Sequence, residues 1–179
     1  MDPFDVLGVL PAYELDLEAL ERRHRELSRA LHPDRHSSKP PGERRRVLGR
    51  AIEVNEAWRK LRDPLGRAQA LLAHYGFARE EGEEPRADPE FLMSIMERRE
   101  ALSAARGERD LGRLKSLASE VEREQAELDR ELGVEFAELD RHRERTPGEL
   151  VEGLMKKLGR RRYYQRFFDE LAAVRDELE

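Results

Sequence analysis

His32 and Asp34 put an imidazole and a carboxylate two positions apart, with Pro33 between them, in the stretch RALHPDRHSSKPPG. Such a pair could take part in catalysis, hold a metal together with His36, or form part of a polar surface. None of the supporting chemistry for the first two is nearby. The five histidines (24, 32, 36, 74 and 142) are scattered. There is no HExxH, and Pro33 breaks the helix that would align His32 with His36. No GxxxxGK[ST] or GxGxxG loop is available to cradle a phosphate, and the chain has no cysteine. Thiolate metal sites, protein-held iron–sulfur clusters and cysteine nucleophiles are therefore excluded. The reading is of a protein that is not an enzyme and uses no cofactor or metal.

The third use finds more support. Glu18, Arg22, Arg25 and Arg29 recur at helical spacing, with Arg23 beside them, and run directly into His32. Leu17, Leu20, Leu27 and Leu31, with His24, repeat at three and four on the opposite side. A row of arginines on a helix is most often a solubilising face, and a proline after a helix is an ordinary stop. Here the two form one continuous polar surface.

The elements that must carry this surface are all helices. Pro3 and Gly8 bracket a short first helix. Asp16 is a good N-cap for Leu17–Leu31, and Pro33 ends that helix by forcing His32 to be extended. After a loop over 32–42, Val47, Ala51, Val54, Trp58 and Leu61 define a second long helix, 43–62, antiparallel to the first. Asp63-Pro64 stops it and opens another that ends at Gly76. The acidic FAREEGEEPRA (77–87) reads as a linker. Asp88-Pro89 opens a helix to about Arg106, before Gly107. Leu111, Leu114, Ala118, Val121, Gln125, Leu128, Leu132, Phe136 and Leu139 then mark a helix of about thirty residues, about 45 Å long. Gly107 in GERD and Gly133 in GVEF read as helix punctuation. Thr146-Pro147 starts the last helix, with Leu154, Leu158, Tyr164, Phe168, Leu171, Val174 and Leu178 inward. The expectation is an all-α chain: residues 1–76 as a helical hairpin with short flanking helices, and 88–179 as an antiparallel three-helix bundle.

Composition agrees. Charged residues make up 41% of the 179 and hydrophobic residues 38%, with only 6% aromatic. That mix suits helices with narrow core stripes. The net charge of −5 argues against nucleic acid as a partner. It is unevenly spread, with 14 Lys/Arg against 12 Asp/Glu in residues 1–76 and 20 against 27 in 77–179. Neither a leader pattern nor a membrane-length apolar run is found, so the cytoplasm is the expected location.

The order of a short helix, a basic-faced helix, His-Pro-Asp, a loop and an antiparallel helix ending in NEAWRKLRDPLGRAQALL resembles a J domain. Together with DPEFLMSIMERREAL, it resembles the HscB family, the dedicated J-proteins of iron–sulfur cluster assembly. The resemblance covers essentially the whole chain. It implies that His32, Pro33, Asp34, Arg22, Arg25 and Arg29 meet an HscA/DnaK-type ATPase and stimulate its hydrolysis. It also implies that the second domain holds the cluster scaffold protein IscU. Phe91, Ile95, Leu102 and Ala105 suffice as a core face for the helix 88–106. Leu92, Met93 and Met96 are then surplus apolar residues beside Glu97 and Glu100, and the resemblance makes these five the client face. Tyr163, from RRRYYQRFF, is the expected aromatic neighbour. A J-protein of the same build with another client, and a helical scaffold in which His-Pro-Asp is only a stop, remain the alternatives.

Overall fold

Aspartate decides where most of these helices begin. A side-chain oxygen of Asp2, Asp16, Asp63, Asp88 and Asp110 accepts a backbone N–H in the first turn, from Phe4, Ala19, Gly66, Phe91 and Arg113 respectively. This satisfies donors that have no partner within the helix. The computed structural model describes residues 1–77, 88–142 and 148–178. Among them the helices are α1 (Pro3–Leu7), α2 (Leu17–Ala30), α3 (Pro41–Arg62), α4 (Pro64–His74), α5 (Pro89–Glu108), α6 (Leu111–Arg141) and α7 (Gly148–Leu178). No strand occurs in the described residues. The bulk of the expected linker and the Thr146-Pro147 helix start lie outside them. The chain divides into two units, Met1–Arg79 and Glu80–Glu179.

In the first unit α3 packs against α1, α2 and α4. Phe4, Leu7, Leu20, Val54, Leu61, Leu71 and Leu72 are almost fully buried, and each such side chain contributes about 1.5–3 kcal/mol. His24 is a structural histidine. Its ring stacks on Trp58 with centroids 5.1 Å apart, and its Nε2 lies 2.9 Å from Asn55 Oδ1. Leu17 departs from the expected apolar face and is 45% exposed. It is the first residue of α2, a turn before the packed stretch begins. Asp63 alone separates α3 from α4, held extended by Pro64. The two helices meet so closely that a Cβ on Gly66 would stand 2.6 Å from the Lys60 carbonyl oxygen.

The second unit is the expected three-helix bundle, with α6 running along α7 and α5 against both. Three expectations are corrected. α5 runs through Gly107 and ends where Arg109 adopts a left-handed conformation (φ 53°). The break falls there because Asp110, whose N–H reaches back to the Ala105 carbonyl, must also cap α6. Gly133 lies inside α6, its cost of about 1 kcal/mol outweighed by the burial of Leu132 and Phe136. Phe167, not Phe168, faces the core; both lie three or four residues from the buried Tyr164 and Leu171, so helical spacing alone does not separate them.

Polar ties fix the register of this bundle. Arg161, buried, donates to Asp129 at 2.9 Å, and Lys157 reaches Glu131 and Glu135 at 2.8 and 2.6 Å. Glu124 accepts from Arg98 at 2.5 Å and from the Tyr164 hydroxyl at 2.9 Å. Burial, and then the Glu124 carboxylate, push the Tyr164 phenol up to about 12. Lys157 is also raised. Its burial acts as the largest single influence, toward lower values, but the hydrogen bonds and charges of Glu131 and Glu135 together outweigh it.

Two predictions follow from packing and charge. Gly66→Ala should destabilise the first unit by about 1–3 kcal/mol. Gly49→Ala, in open space within α3, should stabilise it by about 0.5–1 kcal/mol; urea melts of both variants test the pair. The folded Tyr164 phenol holds its proton more tightly than an unfolded one, whose pKa is about 10. Its contribution is therefore complete below about pH 10 and lost as pH climbs toward 12. Thermal melts across that range should fall less steeply for Tyr164→Phe than for the unaltered protein. Equal slopes would show that another group is responsible.

Candidate functional site

The tip of the first unit is built by backbone groups that α2 leaves open. Pro33 holds His32 extended (φ −62°, ψ 131°) and starts a single 3-10 turn, Pro33–His36, within the stretch expected as loop. That turn folds its side chains back onto the helix it follows. His36 Nε2 donates to the Ala30 carbonyl at 2.8 Å, and the Arg35 guanidinium donates to the Arg29 carbonyl at 3.3 Å. Cationic or N–H-bearing groups are favoured at this end of a helix, where carbonyls lack partners and the dipole is negative. Within the turn the Asp34 N–H donates to His32 Nδ1 at 3.3 Å, and the Asp34 carboxylate lies 3.7 Å from the same nitrogen. An accepting Nδ1 leaves the ring proton on Nε2. Both side chains are exposed. Among the described residues no three His, Asp or Glu side chains gather as metal ligands.

Arg22, Arg25 and Arg29 are exposed on α2, as their spacing predicts. Arg22 lies 3.7 Å from Glu18 and 3.9 Å from Asp16, and Arg25 lies 3.3 Å from Glu21. Such exposed pairs are worth about 0–1 kcal/mol, so they hold these arginines only weakly. Arg23 is different. Its Nε donates to the Leu7 carbonyl at 3.0 Å, beside Gly8 in the left-handed region (φ 67°), and so joins α2 to α1.

In the second unit α5 presents two apolar faces. Phe91, Ile95, Leu102 and Ala105 are buried, as the spacing predicts. Leu92, Met93 and Met96 are 36%, 63% and 63% exposed, with Glu97 and Glu100 exposed beside them. Tyr163 is half-buried on α7, its ring edge-on to Phe91 at 5.8 Å. That places it next to the first turn of α5. Asp88 caps this turn and also accepts from Arg160 Nε at 3.2 Å. The Arg160 hydrogen bond, followed by the Phe91 N–H, holds the Asp88 carboxyl below the usual carboxylate range.

Arg35, His36 and Arg160 support these surfaces, and residue spacing alone does not single them out. Their signal was weak. Arg35 and His36 follow the tripeptide directly, yet six-residue reaches to backbone carbonyls leave no periodic trace. Arg160 is one of five basic residues in KKLGRRR, and only the packing of α7 on α5 distinguishes it.

No helix is long and apolar enough to cross a membrane among the described residues. A family model for the HSCB C-terminal oligomerisation domain matches residues 87–172. The co-chaperone protein HscB homolog of Neisseria meningitidis serogroup B is 36% identical over 137 residues, 76% of this chain and 82% of its own. The Bordetella petrii homolog is 32% identical over 176 residues, 97% of this chain and 96% of its own. The solved chaperone HscB from Vibrio cholerae aligns over 100% of both chains with a TM-score of 0.84 at 25% identity. Human co-chaperone HscB gives 0.83 at 25% identity, covering 97% of this chain and 81% of that one. The fold is thus a J domain followed by a helical C-terminal domain, and the chain belongs to the HscB family of co-chaperones.

Proposed function

We propose that this protein binds an IscU-type iron–sulfur scaffold through its C-terminal domain, delivers it to an HscA/DnaK-type ATPase, and stimulates that ATPase through its J domain. The observation that carries the reading is the exposure of Leu92, Met93 and Met96 on a helix whose other apolar face is already buried. An apolar patch with methionines, rimmed by Glu97 and Glu100, suits an adaptable protein–protein contact. Tyr163 adds an aromatic edge beside it. On the J domain, Arg22, Arg25 and Arg29 steer toward an acidic surface and set orientation more than affinity. Asp34 accepts charge-assisted hydrogen bonds from an arginine of the ATPase, while Pro33 holds the turn that presents it and His32. The co-chaperone performs no hydrolysis; it biases the ATPase toward its hydrolysing state. The work is cytoplasmic on this reading.

His32→Gln or Asp34→Asn should abolish stimulation of a purified HscA-type ATPase. The melting temperature should hardly move, since exposed substitutions cost within about 0.5 kcal/mol. Normal stimulation by both variants would reduce the tripeptide to a helix stop. Separately, changing Leu92, Met93 and Met96 together to Ala should leave the bundle folded, because alanine favours helix and little buried area is lost. Calorimetric titration with IscU should show at least a tenfold loss of affinity, about 1.4 kcal/mol. Unchanged affinity in the folded triple variant would point to a J-protein with a different client.

A further inference from the structure

We propose that Arg160 is a positioning residue for the client face: its hold on Asp88 and Phe91 sets the rotation of the first turns of α5. The inference rests on the assignment of that face to a client and extends it to a residue outside the face.

The reason lies in a choice that burial alone makes poorly. Leu92, Met93 and Met96 form one apolar stripe in the first turns of α5, and Phe91 and Ile95 form another. Successive residues are 100° apart, so a rotation of about one residue would exchange a phenylalanine–isoleucine face for a leucine–methionine one. Leu102 and Ala105 fix the later turns, but in these first turns both faces are apolar, so local hydrophobic burial discriminates weakly between the two packings. Helix termini are also where the backbone opens first.

The tie between Asp88 and α7 breaks this degeneracy. One carboxylate serves two ends. Asp88 Oδ1 accepts the Phe91 N–H at 2.8 Å, and Oδ2 accepts from Arg160 Nε at 3.2 Å and from Arg160 Nη2. The same guanidinium lies 5.3 Å from the centre of the Phe91 ring. Tyr163 and Tyr164 meet that ring edge-on at 5.8 and 5.4 Å. A single turn of α7, residues 160–164, thus grips the cap and the first core residue of α5. With Phe91 held inward, Leu92 and Met93 must point away, and Met96 follows one turn later. Fixing the face before the client arrives removes an ordering cost from binding.

The test uses Arg160→Met, which keeps an apolar stem against Phe91 but loses the fork, and Arg160→Lys, which keeps the charge. In Arg160→Met, amide hydrogen exchange over residues 91–96 should quicken and peroxide oxidation of Met93 and Met96 should change, while exchange in the α6 core stays as it was. Affinity for a purified IscU-type scaffold should fall about fivefold, with part restored in Arg160→Lys. Lost affinity with unaltered exchange and oxidation would make Arg160 a direct contact and overturn the proposal. So would quickened exchange with full affinity. If the unaltered protein takes up no scaffold, the client assignment itself has failed. Positioning is then decided by exchange and methionine oxidation alone, and unchanged values in Arg160→Met overturn it.

Discussion

Every α-helix leaves four N–H groups and four carbonyls without partners at its ends, and the architecture of this protein depends on how they are satisfied. Aspartate handles most starts, and several of these carboxylates have a second task. Asp2 caps α1 and reaches His74 at the end of α4. Asp16 caps α2 and lies near Arg22. Asp88 caps α5 and binds α7 through Arg160. A cap that also touches another helix converts local backbone chemistry into tertiary placement. The end of α2 follows the same logic, since its open carbonyls recruit Arg35 and His36. That recruitment sets the position of the 3-10 turn carrying Pro33 and Asp34.

The two halves of the protein use charge differently. On α2 the ion pairs are exposed and weak, so the arginines remain free to exchange partners. Between the helices of the second unit some are partly or largely sheltered, as with Arg161 and Asp129 or Arg98 and Glu124, while Arg99–Glu170 and Arg106–Glu177 stay exposed. Removing one member there would leave a charge without its partner, which is costly. The same residue types therefore give an adaptable surface in one unit and a fixed register in the other.

The helices themselves were legible because their signals are local. Proline and aspartate at the starts, and leucine at three and four, act within a turn or two of where they stand. The His-Pro-Asp surface was legible for the same reason, as was the division of α5 into Phe91 and Ile95 against Leu92, Met93 and Met96. Glycine is a weaker local signal, since it also stands inside helices. Gly107 sits inside a helix because the Asp110 turn sets the end beyond it, and Gly133 because the burial of Leu132 and Phe136 outweighs its weak propensity.

The sequence by itself thus determined the all-α class, the helix starts and the faces that carry the candidate contacts. Only the tertiary structure decided which of those faces is closed. Arg161 is buried with Asp129 on α6 accepting its hydrogen bond, and Phe167 rather than Phe168 fills the core. Leu17 is exposed because the helices packed against α2 leave its first residue uncovered. The Arg160–Asp88 tie depends on helices 72 positions apart along the chain. Such partners are set by three-dimensional packing, and no periodicity within either helix encodes them.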